Sequence, residues 1–271
     1  MVNGYVAKSL EEALKIRKEH DVIPYGGGTD IMVQEIEGVY LFLHKVPEMK
    51  QIVVDDEYVR IGASCTFTEV IESELVPQLM KEAASRIAAP AIRNVGTMGG
   101  NLGNGSAKAD SVLIEYVADA KLVIASADGQ RIIPVTEFYK GRKQLDLGKD
   151  ELIVEILLPK TGLDNYYYKK VGARNALAIS RVSFAGIIDV EDGVIKNFAA
   201  AFGAVEATVC RHKEIEAKLI GKTLEEAKAM REEILAAYSE AIQPIRGRVS
   251  ADYRKKVCLN LLGDFMTEKG I

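Results

Sequence analysis

The residues best suited to chemistry in this sequence are glycines, which gather in two short segments. The first segment, residues 26–30, follows directly after a predicted apolar strand at 22–25. The second segment, residues 96–110, is rich in glycine and runs into a predicted helix at 110–120. Because glycine has no Cβ, its backbone can approach a ligand closely, and consecutive exposed N–H groups form concavities that bind phosphates. The two segments together predict a phosphate-bearing ligand held between them; two tight turns without a ligand are the alternative.

The common nucleotide-binding motifs do not account for these segments. No G-x-G-x-x-G pattern occurs at either one, which argues against a Rossmann-type dinucleotide site. The tripeptide Gly221-Lys222-Thr223 resembles the end of a P-loop, but Glu216 stands where that loop needs glycine. Thr223 is better explained as the N-cap of a following helix.

Side chains outside the glycine segments form no pattern typical of a catalytic or metal site. The histidines lack an H-x-x-x-H pair and the cysteines are isolated, so we predict no metal site and no chain-borne iron–sulfur cluster. Ser106 lacks the G-x-S-x-G frame of a nucleophile elbow. We therefore predict no catalytic side chain, and any reactive atoms would belong to a cofactor. The scattered residues are His20, His44 and His212, with Cys65, Cys210 and Cys258.

Composition and charge restrict the class of protein further. The chain has 271 residues, of which 48% are apolar and 27% are charged, the balance of an ordinary globular protein. Its net charge of −4 and the lack of a Lys/Arg block argue against nucleic-acid binding. We find no signal-peptide pattern at the start and no apolar run long enough to span a membrane. Since the number of cysteines is odd, we expect a reducing compartment, the cytoplasm.

The hydrophobic patterns predict an α+β protein with two domains. Hairpin turns are indicated at 128–129 and 192–193, and helix caps at Ser9, Thr223 and Ser250. Turn-forming residues near 159–165 mark a boundary between a domain at 1–160, with subdomains at about 1–55 and 56–160, and a domain at 165–271. Strands are predicted at 22–25, 39–43, 51–54, 58–63, 121–125, 131–135, 151–158, 166–171, 179–190 and 194–205. Helices are predicted after Ser9 and at 66–73, 75–88, 110–120, 211–219, 224–242 and 251–268.

The two glycine segments resemble those of the FAD-binding medium subunits of the xanthine dehydrogenase and aerobic carbon monoxide dehydrogenase family of molybdenum hydroxylases. That family carries A-G-G-T-D-L after its first strand, and residues 25–31 read Y-G-G-G-T-D-I. Its second segment, I-R-N-x-G-T-x-G-G-N-x-x-x-x-S-P-x-x-D, is matched at 92–110 by I-R-N-V-G-T-M-G-G-N-L-G-N-G-S-A-K-A-D. The sequence R-I-G-A at 60–63 and weaker similarity at 151–159 and 168–185 extend the resemblance over most of the chain.

The resemblance implies a non-covalently bound FAD. Residues 26–29 would wrap its pyrophosphate with backbone N–H groups, and residues 97–101 would close on it from the other side. Asp110 corresponds to an aspartate that holds a ribose hydroxyl. Lys170 corresponds to a lysine near the flavin ring, with a solvated strand lysine as the alternative. Ile153 corresponds to an apolar residue near the flavin or adenine, with a plain core role as the alternative. The cofactor-binding residues implied in this way are Pro24, Tyr25, Gly26, Gly27, Gly28, Thr29, Asp30, Ile31, Ala88, Thr97, Gly99, Gly100, Asn101, Asn104, Ser106, Asp110, Ile153 and Lys170.

The resemblance also implies a fold and partners. We expect a two-subdomain FAD-binding domain like that of vanillyl-alcohol oxidase, followed by a C-terminal domain of antiparallel sheet plus helices. Electrons would pass from a molybdopterin-binding large subunit through the [2Fe-2S] clusters of an iron–sulfur subunit to FAD, and then to NAD or another acceptor. Molybdopterin and the clusters are expected only on those partner subunits. The alternatives are a stand-alone FAD-dependent oxidase of the vanillyl-alcohol oxidase type and a non-catalytic nucleotide-binding assembly module.

Two residues depart from the family pattern. Ala107 stands where the family usually has proline, and Tyr25 replaces a small residue ahead of the glycines. Either change affects loop stiffness or ring packing, but neither removes a backbone donor.

Overall fold

The computed structural model describes residues 3–34 and 36–271, which form two compact units. The first unit consists of the described part of Met1–Ser106 together with Asp119–Lys160. The second consists of Ala107–Ala118 together with Thr161–Ile271. The predicted α+β class is confirmed, because helices occur with largely antiparallel sheets in both units.

The described elements are as follows. The strands are β1 (Gly4–Val6), β2 (Ile23–Tyr25), β3 (Tyr40–Phe42), β4 (Ile52–Val54), β5 (Tyr58–Gly62), β6 (Lys121–Ser126), β7 (Gly129–Pro134), β8 (Tyr139–Gly141), β9 (Gln144–Leu145), β10 (Leu152–Pro159), β11 (Tyr166–Val171), β12 (Val182–Glu191), β13 (Val194–Gly203) and β14 (Cys210–Arg211). The helices are α1 (Leu10–Glu19), a 3-10 helix (Pro47–Lys50), α2 (Phe67–Glu72), α3 (Gln78–Ser85), α4 (Pro90–Arg93), α5 (Met98–Gly103), α6 (Asp110–Val117), α7 (Val135–Phe138), α8 (Lys213–Glu216), α9 (Leu224–Ala229), α10 (Arg231–Ala241) and α11 (Ala251–Glu268).

A small parallel sheet carries the first glycine segment. Its strand order is β1-β3-β2, and β2 pairs with β3 in the register Pro24 opposite Leu41. Residues 26–30 therefore leave the carboxyl end of an edge strand in a parallel sheet. In sheets with parallel strands, ligands characteristically bind at the carboxyl ends of the strands.

An antiparallel sheet of five strands, in the order β4-β5-β10-β6-β7, forms the rest of the first unit's framework. Its central strand β10 is buried along most of its length because strands flank it on both edges. The register of β10 against β6 shifts between Ile153 and Glu155, a β-bulge that re-aims neighbouring side chains. The hairpin predicted at 128–129 joins β6 to β7 and is confirmed.

The second unit packs helices on an antiparallel sheet in the order β11-β12-β13-β14. The core is aromatic, with Phe184, Phe198, Phe202, Tyr238 and Phe265 all fully buried. The predicted hairpin turn at 192–193 and the capped helix after Ser250 are both confirmed. Sheet strands precede most of the helices, as the sequence pattern predicts.

Helix α6 is buried on every face, from Asp110 to Val117, which is characteristic of a central helix. It groups with the second unit, although it precedes the predicted boundary near residue 160 by about forty positions. Its last turn is held by Arg211, whose Nη1 donates to the carbonyl oxygens of Tyr116 at 2.6 Å and Val117 at 3.3 Å. A cation beside the last carbonyls of a helix is favourable to the helix.

The sequence analysis predicted no helix between residues 88 and 110, and this was wrong. Residues 96–104 fold mostly into α5, and α4 begins at Pro90 just before it. Pro90 occupies the first position of α4, where its missing N–H is not needed. The preceding helix α3 ends at Ser85 and begins only after Pro77, later than the predicted residue 75.

Two predicted helices of the second unit are shorter than expected. The helix at 224–242 is divided at Met230 into α9 and α10, and the helix at 211–219 is reduced to Lys213–Glu216. The capping box of Thr223 and Glu226 is present, which confirms Thr223 as an N-cap. Within the described ranges, no helix is long and apolar enough to cross a membrane.

Candidate functional site

The first unit contains a cavity of about 410 Å³ lined by both glycine segments. This volume is typical of a pocket for a small organic ligand. The structure brings together there most of the residues that the resemblance implied. They are Pro24, Gly26, Gly27, Gly28, Thr29, Asp30, Ile31, Thr97, Gly99, Gly100, Asn101, Asn104 and Ile153.

The first glycine segment presents a run of open backbone donors to the cavity. The N–H groups of Gly26, Gly27, Gly28 and Thr29 have no protein acceptor among the described residues. Gly28 has a φ of 71°, in the left-handed region, which turns successive N–H groups toward one side. Buried or half-buried donors without acceptors are unfavourable unless a ligand or water pairs with them. This segment therefore has the chemistry of an anion-binding concavity.

The second glycine segment is different, because its backbone donors are already used. Gly99 N donates to the carbonyl of Ala63 at 2.7 Å, and Met98 N donates to that of Cys65 at 3.0 Å. Gly100 N donates to Thr97 Oγ1 at 3.1 Å, which makes Thr97 the N-cap of α5. The second segment therefore contributes to the cavity through its shape and side chains.

Several of the glycines allow the two segments to touch each other. A Cβ on Gly26 would lie 2.4 Å from Thr97 Oγ1, and one on Gly27 would lie 1.6 Å from the carbonyl oxygen of Val95. A Cβ on Gly99 would lie 2.6 Å from the Cβ of Ala63. These distances are far below van der Waals contact, so the close approach of the two backbones requires glycine.

Tyr25 does not line the cavity. Its ring packs against Phe42 at 4.8 Å and Tyr40 at 5.5 Å between centroids, and its hydroxyl lies beneath Gly28. A Cβ on Gly28 would come within 1.9 Å of that hydroxyl. The missing side chain of Gly28 therefore leaves room for the Tyr25 ring, which lies outside the cavity lining.

A polar network that the sequence did not predict spans one side of the cavity. Asn104 donates to Asp30, Gln34 donates to Asn104 Oδ1 at 3.3 Å, and Lys143 donates to Gln34 Oε1 at 3.1 Å. Lys143 comes from the turn between β8 and β9, a hairpin that lacks a strong sequence signal. This network connects the two glycine segments with a cation at the cavity wall.

Arg17 is a second cation at the cavity that sequence reasoning missed. It lies on α1 and donates to the carbonyl oxygens of Val22 and Glu151. Burial lowers the pKa of its guanidinium, an effect that the nearby carboxylates of Asp21 and Asp150 oppose. A partly desolvated guanidinium at a cavity wall favours an anionic ligand. Its only sequence signal was a basic residue in the last turn of α1.

Apolar residues complete the lining. Besides Ile153, the structure adds apolar side chains from strands, helices and loops that the sequence did not single out. They include Ile23, Leu43, Met49, Phe67, Leu147 and Leu152. The cavity thus combines an apolar wall with a donor-rich end, a common arrangement in ligand pockets.

Asp110 and Lys170 lie in the second unit, where they form a buried ion pair. Lys170 Nζ donates to Asp110 Oδ2 at 2.7 Å, and Ser180 Oγ donates to Asp110 Oδ1 at 2.7 Å. Only 11% of the Lys170 side chain and 4% of the Asp110 side chain are exposed. The alternative that Lys170 is a solvated strand lysine is therefore wrong. Asp110 has a structural partner that its position in the sequence did not reveal.

Three other positions named in the sequence analysis lie outside the cavity lining. Ala88 and Ser106, both within the described part of the chain, do not line the cavity. Ala88 has a φ of 44° and accepts a bond from Arg93 Nη1 at 3.0 Å, which is a structural role in the turn before α4. The carbonyl of Ala107 accepts from Ala204 N at 2.6 Å, a bond that proline at this position would also accept.

Cys65 is the cysteine nearest in sequence to the glycine segments. It is fully buried, and its thiol lies 3.6 Å from the carbonyl oxygen of Gln51. Burial raises the pKa of this thiol to about 12, so it is neutral and unreactive at physiological pH. It is not among the residues that line the cavity.

The fold and the cavity define an α+β protein with a glycine-lined small-molecule site, and comparisons with known proteins specify its family. Residues 1–161 match the model of the FAD binding domain in molybdopterin dehydrogenase, and residues 166–269 match that of the CO dehydrogenase flavoprotein C-terminal domain. The chain therefore belongs to this family of oxidoreductase flavoprotein subunits. The vanillyl-alcohol oxidase alternative is not supported, since both domains match the molybdopterin dehydrogenase type.

Individual relatives agree with this assignment. The chain is 32% identical to a xanthine dehydrogenase FAD-binding subunit of Escherichia coli O157:H7, over 90% of this chain and 86% of that protein. It is 28% identical to a nicotinate dehydrogenase FAD-subunit of Eubacterium barkeri, over 93% of this chain and 90% of that one. Its fold is shared by a chain of carbon monoxide dehydrogenase from Hydrogenophaga pseudoflava, with a TM-score of 0.89, 24% identity and coverage of 97% and 94%.

Proposed function

We propose that this chain is the FAD-binding electron-transfer subunit of a multi-subunit molybdenum hydroxylase. The observation that carries the proposal is the run of four open backbone donors at residues 26–29, facing a cavity lined by the second glycine segment. A pyrophosphate supplies the acceptor oxygens that these donors lack. The family of the chain supplies the identity of the pyrophosphate-bearing group, FAD.

The residues present fit that cofactor. The N–H groups of residues 26–29 would hold the pyrophosphate, with the guanidinium of Arg17 at the same cavity to balance its charge. Thr97 and Asn101 would support it from α5, and the apolar wall that includes Ile153 would exclude water from an aromatic ring. When bound, FAD supplies redox chemistry that can take up single electrons and release pairs.

In this proposal the chain passes electrons from an iron–sulfur partner subunit to NAD or another acceptor. Molybdopterin and the [2Fe-2S] clusters belong to partner subunits, in a hetero-oligomer in the cytoplasm. Support comes from relatives whose names describe them as the medium chain of a glyceraldehyde dehydrogenase and of a carbon monoxide dehydrogenase. Further support comes from the chain itself, whose cysteines are all buried and lie far apart in the sequence.

The test is flavin binding by the purified full chain. We expect one FAD per chain after reconstitution, and acid precipitation should release all of it into the supernatant because no reactive thiol lines the cavity. Protein that remains colourless after reconstitution would refute FAD binding and favour a non-catalytic assembly module. Flavin that stays with the precipitate would refute a non-covalent cofactor.

A substitution at Gly100 tests the place of binding. Valine at this position projects a branched side chain into the cavity while lying in a helix, where valine is tolerated better than glycine. We expect Gly100→Val to weaken FAD binding at least tenfold, with an unchanged far-UV circular dichroism spectrum. Gly221→Asn is the control, since Gly221 has open space around it and a left-handed φ that asparagine tolerates. Equal FAD affinity in wild type and Gly100→Val would exclude this cavity as the FAD site.

A further inference from the structure

A cluster of side chains that could bind a metal ion lies in the second unit, and none of them lines the glycine-lined cavity. Cys210 lies in the edge strand β14, and His212 is the residue after that strand. Because the two residues are two positions apart, their side chains lie on the same face. The turn that follows β13 brings Glu206 to the same place. The Cys210 Sγ, one ring nitrogen of His212 and a carboxylate oxygen of Glu206 all lie within 4.8 Å of one another. The sequence analysis predicted no metal site, because the histidines lack an H-x-x-x-H pair and the cysteines are isolated.

The histidine is oriented as a metal ligand usually is. Its Nε2 lies 3.2 Å from Cys210 Sγ, and its Nδ1 lies 3.2 Å from Glu214 Oε1. A carboxylate at Nδ1 favours the tautomer with the proton on that nitrogen, which leaves the lone pair of Nε2 facing the sulfur. The same carboxylate–imidazole pairing orients histidine ligands in zinc sites.

The remaining groups are held in place by the fold. Glu206 accepts a hydrogen bond from the backbone N–H of Gln243 at 2.8 Å, which fixes its carboxylate beside the sulfur. The ring of His212 packs edge-on against Tyr238 at 6.0 Å between centroids. Tyr238 is fully buried, and its hydroxyl has no hydrogen-bond partner among the described residues.

The local charge favours a cation. The carboxylate of Glu206 belongs to the cluster, and that of Glu214 lies 3.2 Å from the His212 ring. A divalent cation would balance the negative charge that these two carboxylates bring to one place.

We propose that Cys210, His212 and Glu206 form a site for a single Zn²⁺ ion, with a fourth position left for water. Thiolate, imidazole and carboxylate are the ligands of zinc sites, and three protein ligands plus water is a common set. A tetrahedral site places a sulfur and a nitrogen ligand about 3.6 Å apart, from Zn–S and Zn–N lengths of about 2.3 and 2.05 Å. The observed separation of 3.2 Å needs only a small outward movement of one side chain.

Cobalt substitution tests the site in the full chain. After treatment with a chelator, the purified protein should bind one Co²⁺ per chain and show the intense near-ultraviolet band of a thiolate–cobalt bond. Zn²⁺ should displace the cobalt and abolish the band. The absence of a thiolate–cobalt band in the wild-type chain overturns the proposal, whatever the behaviour of the variants.

Substitution of each proposed ligand tests which side chains bind the metal ion. Cys210→Ser should lose the thiolate–cobalt band, and His212→Ala and Glu206→Gln should each bind Zn²⁺ at least tenfold more weakly. His212 lies near the surface, with 20% of its side chain exposed, so its alanine variant should fold even where Cys210→Ser does not. Cys65→Ser and His44→Ala are the matched controls and should bind both metals as the wild type does. A band that persists in Cys210→Ser, or unchanged zinc affinity in His212→Ala, overturns the assignment.

Discussion

Gly99 and Gly100 are neighbours in α5, yet an added methyl group would meet different surroundings at the two positions. At Gly99 it would lie 2.9 Å from the carbonyl oxygen of Ala63 and 2.6 Å from its Cβ, so the backbone contact between α5 and the residue after β5 would have to open. At Gly100 it would meet only the hydroxyl of Thr97, at 2.8 Å, on the side that lines the cavity. Glycine is therefore required at position 99 for packing, and at position 100 to leave room for a ligand.

This difference predicts opposite effects on the protein without flavin. Gly99→Ala should lower the free energy of unfolding by about 1–3 kcal/mol through overpacking. Gly100→Ala should leave it unchanged or raise it by up to about 1 kcal/mol, because alanine is the better helix former. Urea unfolding of the two apo-proteins, followed by circular dichroism, measures both effects. Equal destabilisation by the two substitutions would contradict the roles assigned here.

Glu115 is a fully buried carboxyl group in α6, and neither of its oxygens has a hydrogen-bond partner among the described residues. Burial raises its pKa from an ordinary 4.5 to about 8. The folded protein therefore retains a proton at neutral pH that the unfolded chain releases. Because the folded state binds more protons between these two pKa values, the contribution of Glu115 makes stability fall as pH rises from about 4.5 to about 8.

Glu115→Gln should remove this pH dependence, since glutamine is neutral throughout. Relative to wild type, the variant should gain roughly 3 kcal/mol of unfolding free energy between about pH 4.5 and pH 7, at about 1.36 kcal/mol per pKa unit. Urea unfolding at a series of pH values measures the difference between the two proteins. A difference that does not change with pH would show that Glu115 is ionised, or solvated, in the folded state.

Helix α6 is joined to the sheet of the second unit by polar contacts at both ends. At its start, Asp110 pairs with Lys170 on β11, and at its end the carbonyls of Tyr116 and Val117 accept from Arg211 on β14. Arg211 also forms a buried ion pair with Glu216, whose carboxylate accepts from the N–H of Ala200. These contacts explain why the helix groups with a unit that is distant in sequence.

The Asp110–Lys170 pair predicts strong coupling between α6 and β11. Lys170→Met leaves the buried carboxylate without its cation and should lower the free energy of unfolding by about 3–5 kcal/mol. Combining it with Asp110→Asn removes both charges, so the double variant should be less destabilised than the sum of the two single variants by at least about 1 kcal/mol. Denaturant unfolding of the four proteins gives the coupling energy, and strictly additive effects would contradict the pair.

The same contacts change the interpretation of Asp110→Asn. The ribose role that the resemblance implies for Asp110 predicts that this substitution weakens FAD binding at least tenfold while leaving the apo-protein nearly as stable. The ion pair with Lys170 now predicts a loss of apo-protein stability as well. Its effect on FAD is therefore best measured in the double variant, where neither charge is left unpaired. A double variant with wild-type FAD affinity would exclude the ribose role of Asp110.

The molecule as a whole is proposed to hold FAD and to depend on partner subunits for the rest of the reaction. We therefore expect the FAD-loaded chain alone to show no hydroxylation of purines, aldehydes, nicotinate or carbon monoxide. If NAD is its acceptor, the chain should still transfer electrons slowly from NADH to a dye. Steady-state assays of the chain, after metal analysis shows it free of molybdenum, measure both activities. Hydroxylation by the molybdenum-free chain would contradict the subunit assignment.

Local signals in the sequence determined much of this protein. Hydrophobic patterns predicted β11 with its observed ends, the 128–129 and 192–193 turns predicted two hairpins, and Ser250 predicted the start of α11. These features arise from neighbouring residues, whose preferences are expressed before any distant contact forms. The glycine motifs also indicated the family and about half of the residues that line the cavity, because a ligand that needs close backbone approach leaves a compositional trace.

Only the tertiary structure decided which backbone and side-chain groups of those motifs are open to a ligand. The donors at residues 26–29 are open, whereas Gly99 donates to Ala63, 36 positions away, and Asp110 meets Lys170, 60 positions away. The cluster of Glu206, Cys210 and His212 likewise depends on a turn that returns the chain to an edge strand. Such contacts depend on how sheets and helices close over long separations, which no local preference encodes. For this reason the sequence indicated where a ligand binds, and only the packed chain decided which atoms would hold it.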